Sequence, residues 1–156
     1  MKNKFFPNED LTENDLFFVC YIIERVARNL NQPKSYVVTA LGEKEIYRLL
    51  SLASVLHSEN PQKVERDLIE NFNMVKGIYN VTDINPKLNV HIPSATQMGK
   101  VYKRLILNTL KPNENWIQAI IRIYTSPFCN TLDNYNGSAF YEPSPVIAQA
   151  YRNGGF

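Results

Sequence analysis

The sequence is poor in the residue types from which most catalytic and metal-binding motifs are built. Among 156 residues there are 2 histidines, 2 cysteines and 6 glycines. The glycines are isolated or terminal, so neither a glycine-rich phosphate loop nor a Walker lysine is present. His57 and His91 lack the spacing of a zinc motif, and there is no CxxC pair. We therefore expect no catalytic residue, no cofactor, no metal and no enzyme activity.

The cysteines and serines also lack the surroundings of nucleophiles. Cys20 lies in an apolar run and is typical of a small core residue. Cys129 has no lysine, arginine or histidine near it in the sequence to lower its pKa. No serine stands in a G-x-S-x-G elbow. Two distant cysteines do not form a disulfide framework, so a reducing compartment is expected.

Neither a strong net charge nor a long apolar run is present. The net charge of +2 gives no electrostatic footprint of a nucleic-acid binder. The longest apolar run, Leu16 to Ile23, is far shorter than the roughly 20 residues of a membrane-spanning helix. The first residues contain lysines but no apolar segment of secretory length. We expect a cytoplasmic protein with no membrane partner.

The sequence does contain regular helix signals, and no strand of useful length. Apolar residues recur at helical spacing, and residues that favour helix starts precede these segments. The start signals are Thr12, Pro33, Pro61, Ser94, Asn113 and Ser144. This pattern predicts an all-α orthogonal multi-helix bundle, a single domain over residues 1–156. Two small helical lobes, 12–73 and 94–153, are joined by a long connection over 74–93.

One loop-like segment, Leu132–Glu142, is rich in aromatic residues. Simple connecting loops do not need these rings, and aromatic residues are frequent hot spots of protein interfaces. We therefore predict a partner-binding surface whose carboxylates pair with arginines of the partner. Its residues are Asp133, Tyr135, Phe140, Tyr141 and Glu142. The alternative interpretation is that the rings fill grooves between helices, and both can hold for different rings.

Residues 13–72 resemble a family of small bacterial proteins. The similarity lies in an aromatic-rich first helix ("LFFVCYIIERVARNLN"), a short second helix ("PKSYVVTALG") and the segment "LHSENPQKVERDLIENF". Members of that family are antitoxin-like proteins found beside ADP-ribosyltransferase-like toxins. The resemblance implies a non-enzymatic protein that binds a toxin enzyme as its partner. It does not extend to the second lobe.

The preferred hypothesis is thus a protein-interaction module, an antitoxin-like protein that binds and neutralises a bacterial toxin enzyme. One alternative is a helix-turn-helix DNA-binding regulator over Pro33–Leu50, in which Lys44 and Arg48 contact DNA. Neighbouring glutamates oppose these cations, so nucleic acid is not favoured. Another alternative is an enzyme of unrecognised type, with a deep pocket and an acid of raised pKa in the 132–142 loop. A homo-oligomer is a further arrangement that the sequence leaves open.

Overall fold

Helices make up the regular secondary structure of the chain, which confirms the predicted all-α class. The structure, a computed structural model, describes residues 1–156. Seven α-helices and one 3₁₀ turn follow one another, and extended backbone is paired only in an isolated bridge between Lys2 and Asp10. The helices are α1 Glu13–Leu30, α2 Lys34–Leu56, α3 Pro61–Asn71, α4 Ala95–Thr109, α5 Trp116–Tyr124, α6 Phe128–Leu132 and α7 Ser144–Asn153, with the 3₁₀ turn at Ala139–Tyr141.

Three helices begin where the sequence predicts, for the predicted reason. Thr12 caps α1, and its side chain accepts a hydrogen bond from the backbone N–H of Asp15. In return, the Asp15 carboxylate accepts a hydrogen bond from the backbone N–H of Thr12. Ser94 and Gln97 form the same reciprocal pair at α4. Pro61 is the first residue of α3, where its missing N–H costs no hydrogen bond.

Two features of the C-terminal half differ from the prediction. Asn115, not Asn113, caps α5, with its side chain accepting from the backbone N–H of Gln118. Asn113 has a φ of 64° and lies in the turn before the cap. The short helix α6 follows Pro127 directly, although the sequence around this proline is typical of a loop.

Helix α2 is interrupted at Gly42, where φ is 73° and ψ is 173°. Residues with a side chain rarely adopt this conformation, so the glycine permits a true break in the helix. The break is one residue long, and helix resumes immediately after it. A helix-turn-helix motif joins its two helices by a turn of about three or four residues, which is longer than the one-residue break at Gly42. Pro33, the predicted first residue of the helix, is instead the N-cap residue, one position before α2 begins at Lys34.

The buried core is continuous across the long connection. Helix α1 lies at the centre of the bundle and packs against α2, α3 and α4. One hydrophobic cluster contains residues of both predicted lobes, including Ile23 of α1, Leu49 of α2, Leu105 of α4 and Ile120 of α5. The lobes are therefore consecutive in sequence but share one core. None of the helices has the length and apolar character to cross a membrane.

The connection between α3 and α4 has no regular secondary structure, yet it is anchored to the end of α1. The backbone N–H of Gly77 donates to the carbonyl of Leu30 at 2.7 Å, and that of Tyr79 donates to the carbonyl of Asn31 at 2.8 Å. A Cβ on Gly77 would lie 2.8 Å from the Asn31 carbonyl oxygen, so this close approach requires glycine. The residues between α3 and α4 thus form a long connection that contains neither helix nor strand.

Candidate functional site

The five residues predicted to bind a partner do not share one exposed surface. The residues Asp133, Tyr135 and Phe140 are 7%, 1% and 5% exposed, whereas Tyr141 is 55% exposed. Glu142 is also exposed. Asp133 directly follows α6, and the 3₁₀ turn directs Phe140 inward, so the chain folds these side chains into the core. The prediction of one exposed surface is wrong for Asp133, Tyr135 and Phe140, whose side chains are largely buried, whereas Tyr141 and Glu142 are exposed.

Asp133 instead belongs to a buried cluster of charges from three parts of the chain. Nζ of Lys34, in the first turn of α2, lies 2.7 Å from Oδ1 of Asp133 and 2.5 Å from Oε1 of Glu24 on α1. The three side chains are 2%, 7% and 1% exposed. A buried charge is tolerated only when it is paired and hydrogen-bonded, and Lys34 provides the positive charge for both carboxylates.

Two tyrosines and an arginine complete this cluster. The hydroxyl of Tyr102 donates to Oδ1 of Asp133 at 2.6 Å, and that of Tyr135 donates to Oε2 of Glu24 at 3.1 Å. Arg28 donates from Nε to the same Glu24 oxygen at 2.8 Å and from Nη2 to the carbonyl of Pro93 at 2.6 Å. The Pro93 contact ties the end of the connection to the cluster.

The two buried carboxylates differ in pKa because they have different neighbours. Burial alone would raise both values, since it disfavours the charged form. For Glu24 the cations Lys34 and Arg28 outweigh burial and lower the pKa below its ordinary value. Asp133 has only Lys34 and also faces the negative charge of Glu24, so burial prevails and its pKa is raised. The same two carboxylates raise the pKa of Lys34 well above its usual range despite burial.

Asp133 also lies at the base of a polar cleft. One part of the cleft has a volume of about 380 Å³ and is lined by Tyr79, Asn80, Val81, Asp83, Asn130, Asp133, Asn134, Tyr135 and Asn136. An adjoining part of about 220 Å³ also includes Tyr79, Asn130 and Asp133. Both hydrogen bonds to the Asp133 carboxylate go to Oδ1. Oδ2 accepts none from the protein and is not sealed from solvent.

Tyr141 and Glu142 line a separate groove against α4. This groove has a volume of about 290 Å³, and its other lining residues are Val101, Arg104, Leu105, Phe140, Pro143, Ser144 and Ile147. The ring of Tyr141 lies 4.2 Å from that of Phe140, centroid to centroid, so a buried ring supports the exposed one. The accessible part of the predicted surface is therefore an aromatic ring beside a carboxylate.

The sequence did not identify the connection as a place where large apolar side chains reach solvent. Ile78 is fully exposed and Val90 is 74% exposed; Val75, Leu88 and Ile92 are also exposed. The segment is nevertheless ordered by hydrogen bonds from both sides. Nδ2 of Asn89 donates to the carbonyl of Tyr135 at 2.8 Å, and the backbone N–H of Asn85 donates to Oδ1 of Asn136 at 2.6 Å.

The residues of the DNA-binding alternative are only partly free. Arg48 is paired with Glu45 three residues before it, Nη2 to Oε1 at 2.6 Å, while Lys44 is exposed. His57 packs edge-on against Phe18, with the ring centroids 6.0 Å apart. Cys20 and Cys129 are free and buried. No three histidine, cysteine, aspartate or glutamate side chains are grouped as metal ligands would be.

Comparison with known proteins identifies no relative of the chain. No family model, curated protein or solved structure matches it. The buried charge cluster, the cleft above Asp133 and the exposed connection are therefore interpreted from their own geometry.

Proposed function

We propose that the protein is a non-enzymatic protein-interaction module that binds a partner protein through the connection between α3 and α4. The observation that carries this proposal is the exposure of aliphatic side chains, Ile78 and Val90 above all, on a backbone that is already fixed. Single exposed apolar residues are common on proteins, but several on one ordered segment favour an interaction site.

The fixed backbone matters for the free energy of binding. A disordered segment loses conformational freedom when it binds, and that loss weakens the complex. The connection is held at Gly77 and Tyr79 by the end of α1, and at Asn85 and Asn89 by the turn after α6. Its apolar side chains are therefore presented in a nearly constant arrangement, which lowers the entropic cost of binding.

The partner that we propose is a toxin enzyme of the ADP-ribosyltransferase-like type, which the protein neutralises by binding. Support for this finer proposal comes from the resemblance of residues 13–72 to antitoxin-like proteins. The exposed Tyr141 and Glu142 provide a second contact area, with an aromatic ring and a carboxylate. Interfaces are enriched in aromatic anchors of this kind.

An enzyme is the less favoured function, although Asp133 has the raised pKa that the enzyme alternative predicted. Its Oδ1 is already occupied by Lys34 and Tyr102, and no histidine lines the cleft to act as a partner base. The buried thiol of Cys129, which lines the smaller part, has a pKa raised to about 12 by burial. It therefore remains protonated and is a poor nucleophile near neutral pH.

The test is co-purification with the product of the neighbouring gene, followed by titration calorimetry of the purified proteins. We expect a complex that forms at micromolar concentration or below. Ile78→Asp and Val90→Asp should each weaken it about tenfold or more, because they place a charge in an apolar contact. The matched control is Val55→Asp, since Val55 is exposed on α2 and outside the connection.

Two results would contradict the proposal. One is the absence of any complex at micromolar concentration. The other is a complex that Val55→Asp weakens as much as Val90→Asp, because the connection would then have no special role. Self-association of the chain through the connection would identify a second copy as the occupant and would also contradict the proposed toxin partner.

A further inference from the structure

We propose that the cleft above Asp133 binds the guanidinium group of an arginine side chain from the partner protein. This inference rests on the proposed function and names the chemistry by which the partner is recognised. It places the specific polar contact of the interface beside the exposed apolar connection, because Tyr79 to Asp83 of that connection form one wall of the cleft.

The first argument is the unused oxygen of Asp133. Its side chain is more than nine-tenths buried and lines both parts of the cleft. Lys34 and Tyr102 both donate to Oδ1, and no protein group donates to Oδ2. Oδ2 is not sealed from solvent, so in the free protein it is open to water in the cleft. A cationic donor that enters the cleft would replace that water with a charge-assisted hydrogen bond to the carboxylate.

The second argument is the charge of the cleft. Its larger part is lined by two carboxylates, Asp83 and Asp133, and by no lysine or arginine. Lys34 lines the smaller part, where its ammonium is already paired with Glu24 and Asp133. Within the buried cluster, Glu24 and Asp133 are balanced by Lys34 and Arg28. Asp83 then leaves one negative charge without a cation, so a ligand with a single positive charge fits the cleft.

The third argument is the shape and donor pattern of the lining. Four asparagines, at positions 80, 130, 134 and 136, line the cleft beside the carboxylates. Oδ1 of Asn80, of Asn134 and of Asn136 each accept a backbone hydrogen bond, which fixes these side chains, whereas the Asn130 amide makes no hydrogen bond within the protein. The planar guanidinium offers five N–H donors in fixed directions, which an ammonium does not. Tyr79 is partly exposed and lines both parts of the cleft, where its ring can stack on a guanidinium plane. These features favour arginine over lysine.

The site can be tested without the partner by titrating the ¹⁵N-labelled protein with N-acetyl-arginine amide. N-acetyl-citrulline amide is the control ligand, because it has the same shape without the charge. We expect saturable shifts of the backbone amides of Tyr79, Asn130, Asn134 and Asn136 with the arginine compound, at millimolar concentration. The citrulline compound should give weaker shifts that do not saturate in the same range.

Variants of Asn130 make the test specific to the cleft. Asn130 is exposed and its side chain makes no hydrogen bond within the protein, so its replacement should not disturb the fold. Asn130→Asp should tighten binding about two- to fivefold by adding a partly exposed carboxylate. Asn130→Lys should abolish saturable binding by placing a cation in the cleft. Thr131→Lys adds the same charge at the next, exposed position, which does not line the cleft, and should leave binding unchanged within about twofold.

Three results would overturn this site: no saturable shifts with the arginine compound, equal responses to both compounds, or equal effects of Asn130→Lys and Thr131→Lys. The outcome is separable from that of the proposed function. If the arginine compound binds as expected but no protein partner is found, the arginine site is supported and the proposed function is contradicted. If the partner binds the wild type and Asn130→Lys equally well, the proposed function is supported and the arginine site is contradicted.

Discussion

Lys34 and Asp133 are 99 positions apart in the sequence, yet Nζ of Lys34 donates to Oδ1 of Asp133 at 2.7 Å in the interior of the protein. Lys34 also pairs with Glu24, so one ammonium joins the first helix, the second helix and the end of α6. The stability of the bundle depends on this contact, because each partner is costly to bury without the others.

Removal of the ammonium should destabilise the protein strongly. Lys34→Met keeps the length of the side chain but leaves Glu24 and Asp133 buried without their shared cation. We expect the free energy of unfolding to fall by about 3–5 kcal/mol, measured by urea denaturation with circular dichroism. Lys44→Met on the exposed face of α2 is the control and should change the free energy of unfolding by no more than about 0.5 kcal/mol. A similar small effect of Lys34→Met would mean that the cluster contributes little.

The raised pKa of Asp133 should give its contribution to stability a distinctive pH dependence. Its folded-state pKa lies above the ordinary value of 3.8, so the folded protein binds this proton more tightly than the unfolded chain. The stabilisation is complete below that ordinary value and is lost as the pH rises through the folded-state pKa. The free energy of unfolding of the wild type, minus that of Asp133→Asn, should therefore decrease over this interval.

Glu24 behaves in the opposite way, because its folded-state pKa is below the ordinary value of 4.5. Its contribution is present above that value and is lost as the pH falls through the folded-state pKa. Because Glu24 and Asp133 share Lys34, the same comparison is made in a Glu24→Gln background, where residue 24 cannot titrate. A difference that increased with pH would show that the pKa of Asp133 is lowered and that Lys34 dominates its environment.

Both cysteines should be unreactive in the folded protein. Burial raises the pKa of Cys20 and that of Cys129 to about 12, so almost no thiolate exists near neutral pH. Ellman's reagent should report almost no reactive thiol in native buffer and both thiols after unfolding in denaturant. Rapid, stoichiometric reaction of Cys129 under native conditions would contradict the burial of its thiol.

Substitution of Gly42 should destabilise the protein through the conformation of the backbone alone. A Cβ at this position would meet no atom within 4 Å, so Gly42→Ala creates no clash. Its φ of 73° and ψ of 173° are nonetheless unfavourable for alanine. We expect a loss of about 1–3 kcal/mol in the free energy of unfolding, measured by thermal or urea denaturation. Gly155→Ala, also in open space but without a positive φ, should be nearly neutral.

Local chemistry explains which helix boundaries could be predicted. Thr12, Pro61 and Ser94 each act within one turn of their own helix, so a short sequence window contains the whole cause. Asn113 and Asn115 are both suitable caps two residues apart, and the choice between them depends on which one adopts the positive φ. That choice is made by the turn as a whole and is not visible in the asparagines themselves.

The buried cluster could be predicted only in part. Glu24 directly follows the apolar first half of α1, so an acid in this position is a candidate for burial with a partner. The sequence does not identify that partner, because Lys34 and Asp133 reach Glu24 only through the packing of the helices. For the same reason Asp133 could be recognised as unusual in its segment while its predicted exposure was wrong.

The sharing of one core by both ends of the chain also has a consequence for its synthesis. Many proteins fold domain by domain from the N-terminus while the ribosome is still adding residues. Here Glu24 receives one of its hydrogen bonds from Tyr135, and α1 packs against α4. The emerging first helix therefore lacks these neighbours until α4 and Tyr135 have been made. We expect native structure around α1 to form only after Tyr135 has left the ribosome, and the residues before it to need protection from aggregation until then.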